Sequence, residues 1–88
     1  MEEIAIPVFF FAKARELVGT GSASISIVKS SQTTGSQLLS AILKKYPVLN
    51  NISKNIVLAV NQEYIDAEQV VDIESALEIA VIPPISGG

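Results

Sequence analysis

In Gly35-Ser36-Gln37-Leu38-Leu39-Ser40-Ala41-Ile42-Leu43-Lys44-Lys45-Tyr46 the large apolar side chains fall at Leu38, Leu39, Ile42, Leu43 and Tyr46. That is the i, i+3, i+4 spacing of one helical face. Thr33 or Thr34 can cap its start, Lys44 and Lys45 complement the helix dipole in the last turn, and Pro47 stops it. This is the one long helix that the spacing predicts. The apolar runs on either side of it have strand length.

Toward the N-terminus, residues 24–28 (Ser, Ile, Ser, Ile, Val) alternate as a short, half-buried strand. Residues 4–11 form a continuous apolar run. Alternation puts Ile4, Ile6, Val8 and Phe10 on one face and Ala5, Pro7, Phe9 and Phe11 on the other. Pro7 has no N–H to give a ladder, so a local irregularity is expected there. Residues 12–18 read as a short helical turn, broken by Gly19-Thr20-Gly21, and the two flanking strands pair as a hairpin-like unit.

Toward the C-terminus, residues 56–60 form a β-branched strand between Asn55 and Asn61. Residues 62–68 read as a turn with a short edge strand near Tyr64-Ile65, and residues 70–75 have no decided element. Residues 77–82 form a last strand, ended by Pro83-Pro84. The order is strand, strand, helix, strand, short strand, strand. A mixed sheet with one main helix packed across it is an α+β fold. Among small folds the order suits the β-grasp, the ubiquitin-like roll. There the first and last strands lie parallel in mid-sheet, which explains why both read as apolar runs. Residues 1–82 are expected to form this domain, and residues 83–88 an extended tail.

Composition narrows the function. With 88 residues, 49% hydrophobic and 17% charged, the chain suits one well-filled domain. Six basic against nine acidic residues argue against a nucleic-acid partner. There is no cysteine and no histidine, which removes Ser-His triads, Cys-His dyads, zinc–thiolate sites and most transition-metal sites together. The acids Glu63, Asp66, Glu68, Asp72 and Glu74 lack metal-ligand spacing and read as a solvated face. Gly19-Thr20-Gly21-Ser22 lacks the Lys and the strand-to-helix context of a phosphate loop, and reads as a turn. Met1-Glu2-Glu3 is unlike the start of a signal peptide, and no run approaches the roughly 18 apolar residues of a membrane span. A cytoplasmic protein with no membrane partner is expected.

The remaining chemical candidate is the sequence's last stretch, Pro83-Pro84-Ile85-Ser86-Gly87-Gly88. Two prolines favour extended polyproline II at roughly 3.1 Å per residue. Gly87 and Gly88 carry no side chain and can thread a narrow channel. The Gly88 carboxylate is a poor electrophile until a partner activates it, for instance as an acyl-adenylate.

Phe10-Phe11-Ala12 followed by Arg15-Glu16-Leu17, then Ala59-Val60-Asn61-Gln62, and finally Glu78-Ile79-Ala80-Val81-Ile82-Pro83-Pro84-Ile85-Ser86-Gly87-Gly88 resemble the MoaD-type small subunit of molybdopterin synthase over nearly the whole chain. That family belongs with the ThiS carriers among ubiquitin-like proteins. The resemblance implies a sulfur carrier with no bound cofactor. An E1-like enzyme that uses ATP adenylates Gly88, and a sulfur donor makes the thiocarboxylate. Pro83, Pro84, Ile85, Ser86 and Gly87 insert into the large subunit, with which the family forms a heterotetramer. The sulfur passes to cyclic pyranopterin monophosphate to build the molybdopterin dithiolene.

The resemblance also bears on the docking surface. Phe9 and Phe11 either join Ile82 in an apolar patch that docks the large subunit or make second-face core contacts. Arg15 either pairs across that interface or stays solvated. Glu74-Ser75-Ala76 stands where many relatives have a Gly-Asp turn. Val81 and Ile82 stand where some relatives have aromatic residues, which implies aliphatic partner contacts. A thiamine-pathway sulfur carrier and a ubiquitin-like protein modifier are the alternatives.

Overall fold

The computed structural model describes residues 2–76 and 78–83. The elements in chain order are β1 (Glu3–Phe10), α1 (Ala12–Val18), β2 (Ser22–Val28), α2 (Gly35–Lys45), β3 (Val57–Val60), β4 (Glu63–Ile65) and β5 (Ile79–Ile82). Short 3-10 turns occupy Pro47–Asn51, Ser53–Asn55 and Ile73–Ser75. The five strands form one sheet in the order β2-β1-β5-β3-β4. β1 and β5 run parallel, and the other neighbouring pairs are antiparallel. This is the β-grasp arrangement, with β5 at the centre.

One face of the sheet carries the core. Ile6, Val8 and Phe10 from β1, Ile25 and Ile27 from β2, Leu58 and Val60 from β3, and Ile79 and Val81 from β5 are all buried. They pack with Leu38 and Ile42 of α2, Ala14 of α1 and Leu49 of the first 3-10 turn. Each fully buried Leu, Ile or Val contributes roughly 1.5–3 kcal/mol relative to exposure. The Phe10 and Tyr46 rings meet edge to face, with centroids 5.3 Å apart, closing the end of the core beneath the C-terminus of α2.

The start of α2 has two sources of order. Thr34 caps it: its hydroxyl accepts from the Gln37 N–H (3.3 Å), and the Gln37 side-chain carbonyl accepts from the Thr34 N–H (2.9 Å). This reciprocal box satisfies two otherwise orphaned donors. Two further N–H groups of the first turn, from Gly35 and Ser36, donate to the carbonyls of Gln69 (3.0 Å) and Ala67 (2.8 Å).

Those bonds bring the 66–69 loop close to Gly35. A β-carbon at that position would run into the Asp66 backbone carbonyl oxygen. Backbone cannot rotate aside as a side chain can. Gly35→Ala is therefore expected to cost about 1–3 kcal/mol, at roughly 4–8 °C of melting temperature per kcal/mol for a chain this size. Thermal unfolding followed by circular dichroism measures it, and an unchanged midpoint would refute the close-approach argument.

The irregularity expected at Pro7 is absent. The β1–β2 register runs without interruption from Glu3↔Val28 to Phe9↔Ser22. The Phe10 N–H donates to the Gly21 carbonyl and the Lys29 N–H to that of Glu2, so the hydrogen-bonded pairs use even-numbered residues of β1. Pro7 opposes Ser24 in a non-hydrogen-bonded pair, where the β1–β2 ladder needs no N–H from it. On its other side the described pairing with β5 begins one residue later, at Val8↔Ile79.

Candidate functional site

The end of β5 is the part of the fold from which the tail leaves. β5 lies between β1 and β3, and its last residue, Ile82, pairs with Val57. The Phe11 N–H donates to the Val81 carbonyl (3.3 Å), so the corner after β1 lies beside this point. Pro83 is buried and belongs to the body, so a segment reaching into a partner has to start after it. Pro84, Ile85, Ser86, Gly87 and Gly88 lie outside the described residues.

The corner itself is built under strain. Phe11 is extended (φ −124°) and Ala12, the first residue of α1, is left-handed (φ 49°). A non-glycine residue in that region costs about 1–2 kcal/mol. The turn carries the chain from the sheet into α1 and leaves Phe11 49% exposed. The N–H groups of Ala14 and Arg15 then donate to the Phe11 carbonyl.

The second face of the sheet is polar along β2 but apolar around β5, and the described helices α1 and α2 pack their buried residues on the opposite face. Residue pairing defines one row across all five strands: Ser22, Phe9, Ala80, Ala59 and Tyr64. Two alanines therefore sit between the larger Phe9 and Tyr64 and form a shallow trough. Ile82 and Val57 form the next row, toward the tail. Phe9 and Ile82 are half-buried, and Val57 and Tyr64 are 42% and 73% exposed. None of these residues belongs to the core cluster. Phe9 and Ile82 thus share an outer surface, and the second-face core reading fails for them.

Val81 differs. It is fully buried on the inner face, so it is closed to the partner contact expected of it, whereas alternation leaves Ile82 on the outer face. Arg15 lies apart from the trough, on α1. It is exposed, and its guanidinium packs over Gly21 at the head of β2. Among the described residues it makes no ion pair, whereas Lys29 pairs with Glu74 at 3.4 Å.

The connection into β5 is pinned by Asn61. The β3–β4 turn places Asn61 and Gln62 at φ 52° and 71°, the pattern of a tight hairpin turn. The Asn61 amide donates to the Ser75 carbonyl (3.0 Å) and accepts from the Glu78 N–H (3.3 Å). In place of a Gly-Asp turn, Asp72 caps the Ile73–Ser75 turn by accepting from the Glu74 N–H and the Ser75 hydroxyl. Among the described residues no cluster of three or more His, Cys, Asp or Glu side chains could hold a metal ion. No described helix is long and apolar enough to cross a membrane.

A family model described as the ThiS family matches residues 8–88. This chain belongs to the ThiS family. Its relatives include the molybdopterin synthase sulfur carrier subunits of Caenorhabditis briggsae, 40% identical over 97% of this chain and 99% of the relative, and of Homo sapiens, 38% identical over 94% and 93%. Among solved structures, SAMP1 from Haloferax volcanii shares the fold, with a TM-score of 0.74 at 21% identity over 96% of this chain and 99% of that one. So does the complex of subunits 1 and 2 of molybdopterin-converting factor from Helicobacter pylori, with a TM-score of 0.59 at 21% identity over 97% and 100%.

Within this ThiS-family fold, sequence alternation finds Phe9 and Ile82. It misses Val57, Ala59, Ala80 and Tyr64, which join them only through strand order. Their signal is parity within each strand, which becomes usable once the neighbours of β5 are known.

Proposed function

We propose that this chain is the sulfur carrier subunit of a molybdopterin synthase, with the Gly88 carboxylate as its working group. The observation that carries this reading is the near full-length similarity to relatives named for that role, at 35–40% identity. The apolar outer face beside the end of β5 supports it, because a carrier must dock while presenting its tail.

In the proposed cycle an E1-like enzyme joins the Gly88 carboxylate to the AMP moiety of ATP and releases pyrophosphate. A sulfur donor displaces AMP and leaves a thiocarboxylate. Phe9, Phe11 and Ile82 dock the large subunit, with Arg15 at the margin, and residues 84–88 enter its site. Two such transfers to cyclic pyranopterin monophosphate, each from one thiocarboxylate and each followed by hydrolysis that returns the Gly88 carboxylate, supply the two sulfurs of the dithiolene. The large subunit supplies the catalytic side chains, in keeping with a chain that has no His or Cys. The working assembly is a heterotetramer in the cytoplasm.

Incubation with the activating enzyme, ATP and a sulfur source is expected to add the mass of one oxygen-to-sulfur exchange, localised to Gly88. An unchanged carboxylate under those conditions would end this reading. Recovery of thiazole synthase in a pull-down would move the chain to the thiamine pathway. Lysine conjugates that survive reducing, denaturing electrophoresis would make it a protein modifier.

A further inference from the structure

We infer that the free edge of β2, together with the groove between β2 and α2, is a docking site for an extended segment of a partner protein that carries apolar residues at alternate positions and acidic residues beside them. β2 is an outer strand of the sheet. The hydrogen-bond parity that accommodates Pro7 turns the backbone groups of Ser22, Ser24, Ser26 and Val28 away from β1. At one end these groups are already satisfied: the Thr20 hydroxyl donates to the Ser22 carbonyl (3.2 Å) and Lys45 Nζ to that of Ser24. Among the described residues, the Ser24 N–H and both backbone groups of Ser26 and Val28 have no such partner. They form a template onto which a strand can add.

The surface beside that template has the matching period. One hollow of about 220 Å³ is lined by Ile25, Ser26, Ala41, Lys44 and Lys45, and a second of about 240 Å³ by Ile27, Val28, Ser30, Thr33 and Gln37. Ile25 and Ile27 are two residues apart on one face of β2, so the hollows follow the repeat at which an added strand presents side chains to one side, about 6.8 Å. Val28 is 42% exposed at the far end.

Charge selects the occupant. The chain carries a formal net charge of −3 with six basic residues, yet no Asp or Glu lines either hollow. Lys44 and Lys45 border the first, with no ion pair among the described residues. An acidic segment is complementary to that end. The site lies on the outer edge of β2, two strands from the end of β5, and uses none of Phe9, Phe11 or Ile82, so it does not depend on the sulfur-carrier reading.

The test is a nuclear magnetic resonance titration of the labelled chain with the blocked heptapeptide Asp-Asp-Val-Thr-Ile-Thr-Ser, up to about 1 mM. Shifts are expected at the amides of Ser24, Ser26 and Val28 and along the last turn of α2. Joint Lys44→Glu and Lys45→Glu substitution is expected to weaken binding about tenfold. Ser26→Pro removes an outward N–H while leaving the β1–β2 ladder its own bonds, and is expected to abolish binding. Each variant's melting curve confirms its fold. The proposal is overturned by an absence of shifts, by shifts centred on Phe9 and Ile82 instead, or by binding indifferent to the charge reversal. Concentration-dependent pairing of β2 with a second copy would overturn it equally.

Discussion

Deletion of Gly88 is expected to abolish sulfur loading and transfer while leaving the melting midpoint within about 1 °C of the intact chain. The stability half follows from where the core ends. The described apolar cluster draws on every strand except β4 and closes with Ile79 and Val81 of β5, and Pro83 is the last described buried residue. The chemical half follows from reach. Removing one residue moves the carboxylate back by up to about 3.3–3.6 Å along an extended chain. A misplacement of only 1 Å at a reacting centre can cost about 10²-fold in rate. The acyl group of the shortened chain would stop short of both the adenylating centre and the large subunit's site. Adding a single Ala after Gly88 is expected to be as damaging, since it blocks the reacting carboxylate with a peptide bond. Single-turnover sulfur loading read by mass spectrometry, beside a thermal melt, decides the matter. A truncated chain that loads at a comparable rate would remove Gly88 from the mechanism.

Much of the fold was legible because it rests on local chemistry. The helix at Gly35–Lys45 was readable from apolar spacing, and its cap had been narrowed to two threonines. Thr34 takes that role because it is three residues before Gln37, while Thr33 is buried and its carbonyl accepts from the Val71 N–H. The 3-10 turns at Pro47–Asn51 and Ser53–Asn55 had no comparable signal. They are held by backbone bonds three residues apart, such as the Leu49 N–H to the Tyr46 carbonyl and the Asn55 N–H to that of Ile52, with side-chain bonds from Asn50 and Ser53 that any loop rich in Asn and Ser can make. Pro7 was misread because the cost of a missing N–H depends on which neighbour it faces, and the pairing parity is a property of two strands together. The misplacement of Val81 has another cause. Position in the family pattern suggested a partner contact, whereas alternation in a central strand turns consecutive residues to opposite faces. Ala12 gave no warning either, since alanine has no preference for a left-handed corner.

That alternation sets up the second large effect. Ile82→Lys is expected to weaken association with the large subunit by roughly 2–4 kcal/mol, or about 30- to 1,000-fold. Its effect on the isolated chain should stay below about 1 kcal/mol. Ile82 is half-buried on the outer face beside Val57, and a lysine there can extend its ammonium into water while the chain is alone. Once a partner covers the trough formed with Phe9, Ala80 and Ala59, the same charge must be desolvated without a counter-charge. Val81→Lys, one residue earlier, is the control with the opposite outcome. Val81 is fully buried among the core residues, so an ammonium there should unfold the chain before any partner is added. Titration calorimetry against the large subunit, paired with denaturation of each variant, separates the two faces. Sulfur loading of Ile82→Lys, measured with the activating enzyme, distinguishes a lost docking surface from a failed carrier. If Ile82→Lys binds the large subunit as tightly as the unmodified chain does, docking must use some other part of the molecule.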